Sequence, residues 1–193
     1  MFLSILTAPL QKNRNLLLDE QEVHKELLNA FGCKRDSANI LYRKDISRDG
    51  SSIVLMVQSD IAPSETKTFA IERLMNADAR NESFTEGTVL RFDCKLQPTF
   101  NKDGRRRALR KYEEREAWLR RKLSNAGAEV IGFTESGKDT TVFSHNDVGK
   151  IETYIYTGYL RITDAGRFLE GYRNGIGAGK AYGCGMLILG RAG

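Results

Sequence analysis

Histidine is scarce in this chain. Only His24 and His145 occur among 193 residues, which excludes a histidine-rich metal site. Cysteine is scarce too. Cys33, Cys94 and Cys184 are odd in number and far apart. They form neither a disulfide framework nor a zinc pattern, so the expected setting is reducing and cytoplasmic. No apolar run approaches the ~18 residues of a membrane span. The opening MFLSILTAPL is short and no basic stretch precedes it, so it reads as a first strand rather than a signal peptide. What is present fits a globular protein, with 40% hydrophobic and 28% charged residues. The length allows one domain or two small ones with a real core.

Charge is unevenly spread. Residues 101–125 hold 10 basic and 4 acidic side chains, a net +6, against +5 for the whole chain. The centre of this segment is Asp103-Gly104-Arg105-Arg106-Arg107, followed by Arg110 and Lys111. Such a run fits either a solvated loop or a phosphate-contacting patch. Arginine suits the second role because its planar fork binds two phosphate oxygens at once, and a cluster gives salt-dependent nucleic-acid affinity.

Periodicity predicts a strand over residues 1–8 and a helix over 19–31. Asp19 followed by Glu22 looks like a capping box, and Val23, Leu27 and Phe31 line one apolar face. Strands follow over 39–46 and 52–59, with Asp49-Gly50 in the turn. Residues 67–74 are ambiguous, and Val89–Leu96 alternates as a strand. This is most of a ferredoxin-like βαββαβ unit. After Pro98 and the basic loop come a helix over 112–125, strands over 128–134, 139–144 and 150–162, a helix after Asp164, and a strand over 181–190. The order repeats, which predicts two tandem α+β units, 1–97 and 98–193.

The most specific stretch is NGIGAGKAYGCG, residues 174–185. Five glycines in eleven residues, Gly175, Gly177, Gly179, Gly183 and Gly185, demand sharp bends or close approach. A P-loop is excluded, because Asn174 replaces its first glycine and Ala181 its Ser or Thr. The dinucleotide fingerprint also fails, with Lys180 at its last position. There remains a packed glycine loop whose Lys180 can meet an anion, or a purely structural turn.

The run GIGAGKAYGCGMLILG resembles the glycine-rich signature of the CasE-type CRISPR endoribonucleases of type I-E systems. Glu116–Leu123 (EAWLRRKL) resembles that family's AWL-basic-basic-L helix, and Lys150–Thr153 with Gly158–Ile162 its strand pair. Val23-His24-Lys25 is similar to its catalytic helix. The resemblance spans nearly the whole chain in the same order and is weak over 60–90. It implies two tandem ferredoxin-like, RNA-recognition-type domains that bind the repeat hairpin of CRISPR precursor RNA. It implies one cut at the hairpin base, retention of the mature RNA, and membership of the Cascade complex. By the same resemblance, His24 is expected at the catalytic position, with no metal or other cofactor. Lys25, Arg105, Arg106, Arg107, Arg110, Lys150 and Lys180 are the expected RNA contacts, with the glycine loop close to the RNA backbone. His145 has no assigned role. The family often carries a tyrosine one turn before the histidine, where this chain has Gln21; Tyr182 is a candidate replacement.

Three hypotheses remain open. The first is a metal-independent endoribonuclease. The second is a non-catalytic RNA-binding subunit of the same fold. The third, an enzyme using a phosphate ligand at the glycine loop, is disfavoured by the failed motifs.

Overall fold

The computed structural model describes residues 1–33, 35–77, 84–145 and 147–192, with backbone only at 35, 36, 145, 147 and 148. The side chain of His145 therefore lies outside the described residues.

The first unit comprises β1 (Phe2–Pro9), α1 (Arg14–Leu18), α2 (Glu20–Phe31), α3 (Arg35–Ala38), β2 (Leu41–Ile46), β3 (Ser52–Ser59) and β4 (Ala70–Asn76). Its strands pair antiparallel in the order β2-β3-β1-β4. Leu6 and Ala8 of β1 alternate inward and meet Val23, Leu27, Ala30 and Phe31 of α2, with Ile53, Leu55 and Val57 beside them. Truncating a fully buried leucine such as Leu27 to alanine costs about 2–5 kcal/mol. Asp19 caps α2 by accepting the Gln21 N–H at 2.8 Å. The capping box is not completed, because Glu22 turns instead to Lys25, 2.6 Å away.

The ambiguous segment near 67–74 supplies β4. No helix separates β3 from β4 among the described residues. The stretch 60–69 contains Pro63 and few apolar side chains, and Phe69 alone plugs the core there.

The second unit comprises β5 (Val89–Leu96), β6 (Thr99–Lys102), β7 (Arg105–Ala108), α4 (Tyr112–Asn125), β8 (Ala128–His145), β9 (Asp147–Ile162), α5 (Ala165–Asn174), a short 3-10 turn (Lys180–Tyr182) and β10 (Ile188–Arg191). The sheet order β10-β5-β9-β8 completes a ferredoxin-like βαββαβ unit. The fold is thus α+β with two tandem ferredoxin-like units, the first lacking its second helix among the described residues.

Four expectations change. β5, placed by its sequence in the first unit, hydrogen-bonds to β9 and β10 of the second. The sheets therefore divide the chain between Asn76 and Val89, not at 97. The basic loop is a hairpin, β6–β7. Asp103 (φ 52°) and Gly104 (φ 70°) are both left-handed, as a two-residue turn matching strand twist requires. The strands expected at 128–134 and 139–144 are one strand, β8, bent by register shifts at Val130/Gly132 and Ser136/Lys138. The last strand covers only Ile188–Arg191, because the preceding glycine loop is not extended.

The units meet along a polar seam. Gln58 Nε2 of β3 donates to the Tyr172 and Arg173 carbonyls at the end of α5, at 2.9 and 3.1 Å. Asn39 Nδ2 donates to the Arg173 carbonyl at 3.0 Å. Arg43 pairs with Asp93 at 3.3 Å. The Gln58 and Asn39 bonds reach carbonyls in the last turn of α5, which the helix itself cannot pair.

Candidate functional site

The start of α2 touches two segments of the second unit, the tip of β8 and the turn Lys180–Tyr182. Asp19 Oδ1, besides capping its own helix, accepts the Ser144 N–H at 3.1 Å. Partial burial alone raises the Asp19 pKa, but bonds from Ser144 and Gln21 outweigh it and hold the carboxyl below its usual 3.8. Beneath the helix, the buried Tyr42 hydroxyl lies 2.8 Å from Glu20 Oε2 and 3.1 Å from the Ala181 carbonyl. Its one proton bridges two acceptors, and so joins α2 to the glycine loop. Burial, reinforced by the Glu20 charge, pushes the Tyr42 phenol well above its usual range, so it stays a neutral donor. Lys44 Nζ neutralises Glu20 at 2.8 Å.

His24 stands one helical turn beyond Glu20, half-buried beside the apolar face of α2. Next to this junction lies a cleft of about 740 Å³ lined by Arg106, Phe143, Lys150, Glu152, Lys180 and Tyr182, with Gly177–Gly179 in its wall. Tyr182 stacks on Phe143 with ring centroids 4.3 Å apart and planes 15° from parallel. Glu152 is kept below its usual 4.5, chiefly by a hydrogen bond from Lys138. Among the described residues that line it, the cleft holds one carboxylate against three cations, a balance that favours a polyanion.

The residues named from the sequence do not all converge. Arg106, Lys150 and Lys180 share the cleft. His24 is not in its lining; it belongs to the helix that packs against the Lys180–Tyr182 turn. Strand alternation puts Arg105 and Arg107 on the hairpin face opposite Arg106, and all three are exposed. Arg110 lines a neighbouring depression of about 560 Å³ with Arg115, Glu135, Lys138 and Glu152. Lys25 points to solvent and pairs with Glu22. Among the described residues no His, Cys, Asp and Glu side chains are grouped as a metal would need.

Two of the glycines serve the seam and others pack within the second unit. A Cβ on Gly175 would lie 2.8 Å from Leu41 Cδ1 of the first unit, and one on Gly183 would lie 3.2 Å from Tyr42 Cε2. At Gly177 φ is +79°, and a Cβ would lie 2.9 Å from Trp118 Cη2. The two most specific motifs of the sequence, the AWL helix and the glycine run, are therefore one packed contact. Sequence reasoning missed Glu20, Tyr42 and Phe143. Nothing local marks them, because their partners lie far along the chain.

A family model described as "CRISPR associated protein" matches residues 1–191. The chain is 34% identical over 182 residues to the CRISPR system Cascade subunit CasE of Escherichia coli (strain K12), covering 89% of this chain and 92% of that one. It is 24% identical over 203 residues to the CRISPR-associated endoribonuclease Cse3 of Thermus thermophilus, covering 96% of each. In fold it is similar to Thermus thermophilus Cse3 bound to an RNA representing a pre-cleavage complex, with TM-score 0.85, 21% identity, and coverage of 98% of this chain and 100% of that one.

Proposed function

The chain belongs to the CRISPR-associated protein family, and from that premise we propose that it is a CasE-type, metal-independent endoribonuclease. Its substrate is the repeat hairpin of CRISPR precursor RNA, cut once at the hairpin base to give mature CRISPR RNA. It works in the cytoplasm with the other subunits of a Cascade-type defence complex. No helix among the described residues is long and apolar enough to cross a membrane.

The observation that carries this reading is the junction of α2, bearing His24, with the Lys180–Tyr182 turn, beside a cleft lined by Arg106, Lys150 and Lys180. Cleavage proceeds by in-line attack of the 2′-hydroxyl before the cut on the adjacent phosphorus. The 2′-oxygen–phosphorus bond forms and the bond to the 5′-oxygen breaks. The products are a 2′,3′-cyclic phosphate and a 5′-hydroxyl. One proton leaves the 2′-oxygen and one reaches the 5′-oxygen. His24 carries one of these transfers, a contribution of about 10²–10⁴ in rate. The cleft cations hold the phosphates and stabilise the charge that builds on them. Lys150, Lys180 and Arg106 serve there, while Arg105, Arg107, Arg110 and Lys25 extend the contact outward. Duplex RNA hides its base edges, so the arginines read mainly shape and phosphate.

Gln21, which cannot supply a phenolic proton, favours one second reading, a non-catalytic subunit that only holds the hairpin. Incubation of a labelled repeat hairpin in EDTA decides, with a companion substrate carrying one 2′-deoxy nucleotide before the cut. A single EDTA-resistant cut, absent from the deoxy substrate, is expected. Tight binding without any cut would establish the second reading.

A further inference from the structure

The hairpin β6–β7 carries three exposed arginines, yet it forms a two-stranded sheet of its own, outside both large ladders among the described residues. Its base is closed by the Leu109 N–H on the Pro98 carbonyl at 3.0 Å. Just beyond that base Arg115, in the first turn of α4, is buried although it is charged. Its guanidinium grips Glu135 of β8 with two N–H groups, the Nε bond being 2.9 Å. A third N–H, from Nη1, reaches back to the carbonyl of Arg110, where the hairpin leaves its second strand. The Tyr154 ring of β9 lies under the plane at 4.2 Å. Three points around one rigid plane are thus fixed: the hairpin exit, β8 and β9. Lysine cannot do this, since it has no planar fork.

We infer that Arg115 is a positioning residue that locks the arginine hairpin against the second sheet, so that Arg106 stays on the cleft shared with Lys150 and Lys180. This rests on the reading of the cleft as an RNA site. A buried ion pair is weak evidence for stability, because desolvation offsets most of its attraction. A geometric role accounts better for a pair held at three fixed points. Without the lock the hairpin must be ordered when RNA binds, and ordering a few long side chains weakens binding roughly tenfold.

The test compares the full-length protein with Arg115→Met/Glu135→Met, which removes both charges and strands neither, and with Arg115→Lys. Two quantities are read on the repeat hairpin under single-turnover conditions: KM, taken as the protein concentration at half-maximal rate, and the cleavage rate at saturating protein. A third is the rate of trypsin cutting after Arg105–Arg107 in the free protein. The double variant is expected to keep its melting temperature and its saturated rate. Its KM should rise about tenfold, and trypsin should cut the hairpin about tenfold faster. Arg115→Lys should fall between. Unchanged KM and unchanged trypsin cutting overturn the inference, and so does a fall in saturated rate that tracks a lower melting temperature. Failure of the wild-type protein to bind or cut the hairpin would instead refute the RNA reading, and the trypsin rates would still decide whether Arg115 holds the hairpin.

Discussion

Replacing Gly177 with alanine should be among the most damaging single-methyl additions to this protein. Two separate costs combine there. The left-handed backbone, φ +79°, disfavours a Cβ by roughly 1–2 kcal/mol. The new methyl would also lie 2.9 Å from Trp118 Cη2, and Trp118 is fully buried among Leu119, Leu123 and Ile176. Overpacking of this kind costs about 1–3 kcal/mol. The expected loss is therefore about 2–5 kcal/mol, read as a lower urea midpoint at unchanged slope. Two controls separate the costs. Gly50→Ala carries the same backbone conflict, φ +71°, with nothing within 4 Å of the added methyl, and should lose only the backbone part. Gly132→Ala meets neither conflict and should change stability by less than ~0.5 kcal/mol. If Gly177→Ala costs no more than Gly50→Ala, the contact with Trp118 is not tight and the packing account of the glycine run is wrong. The same variant shifts the turn that carries Lys180 and Tyr182, so hairpin cleavage should fall further than the population of folded protein explains.

His24→Ala should lower cleavage by about 10²–10⁴ while leaving hairpin affinity intact; a gel-shift titration beside a cleavage time course separates the two. Arg106→Ala should weaken hairpin binding and flatten the dependence of log affinity on log salt by about one phosphate contact, measured by fluorescence anisotropy over a salt series. Tyr42→Phe leaves the Ala181 carbonyl without the phenol and Glu20 with Lys44 alone, so it should cost about 1–3 kcal/mol in a urea melt. Asp19 titrates below its usual 3.8 in the folded protein. Its contribution is complete above that value and is lost as pH falls through the depressed one. Melting temperatures between pH 2 and 6 should show an acid-side decline that Asp19→Asn reduces.

The sequence by itself determined the elements whose burial has a period. The Val23, Leu27 and Phe31 spacing marks α2, and Phe168 with Tyr172 marks the inner face of α5. The contact between the AWL helix and the glycine run was not legible there; the structure supplies it by setting Gly177 against Trp118. The sequence could not assign β5 to a sheet. Strands of both sheets alternate alike, and hydrogen-bond partners are set by how whole units assemble. The hairpin β6–β7 was hidden because both its faces are exposed, so no apolar alternation marks it. The absent helix between β3 and β4 was illegible for a related reason, because one residue, Phe69, fills the core there. Only the tertiary structure gathered Arg106, Lys150 and Lys180 around one cleft, and turned Arg105 and Arg107 to the opposite face. Only it joined Glu20, Tyr42 and Ala181. Spacing along a chain governs which side chains share a helix or strand face, whereas proximity between distant segments exists only after each unit folds and the two close on each other.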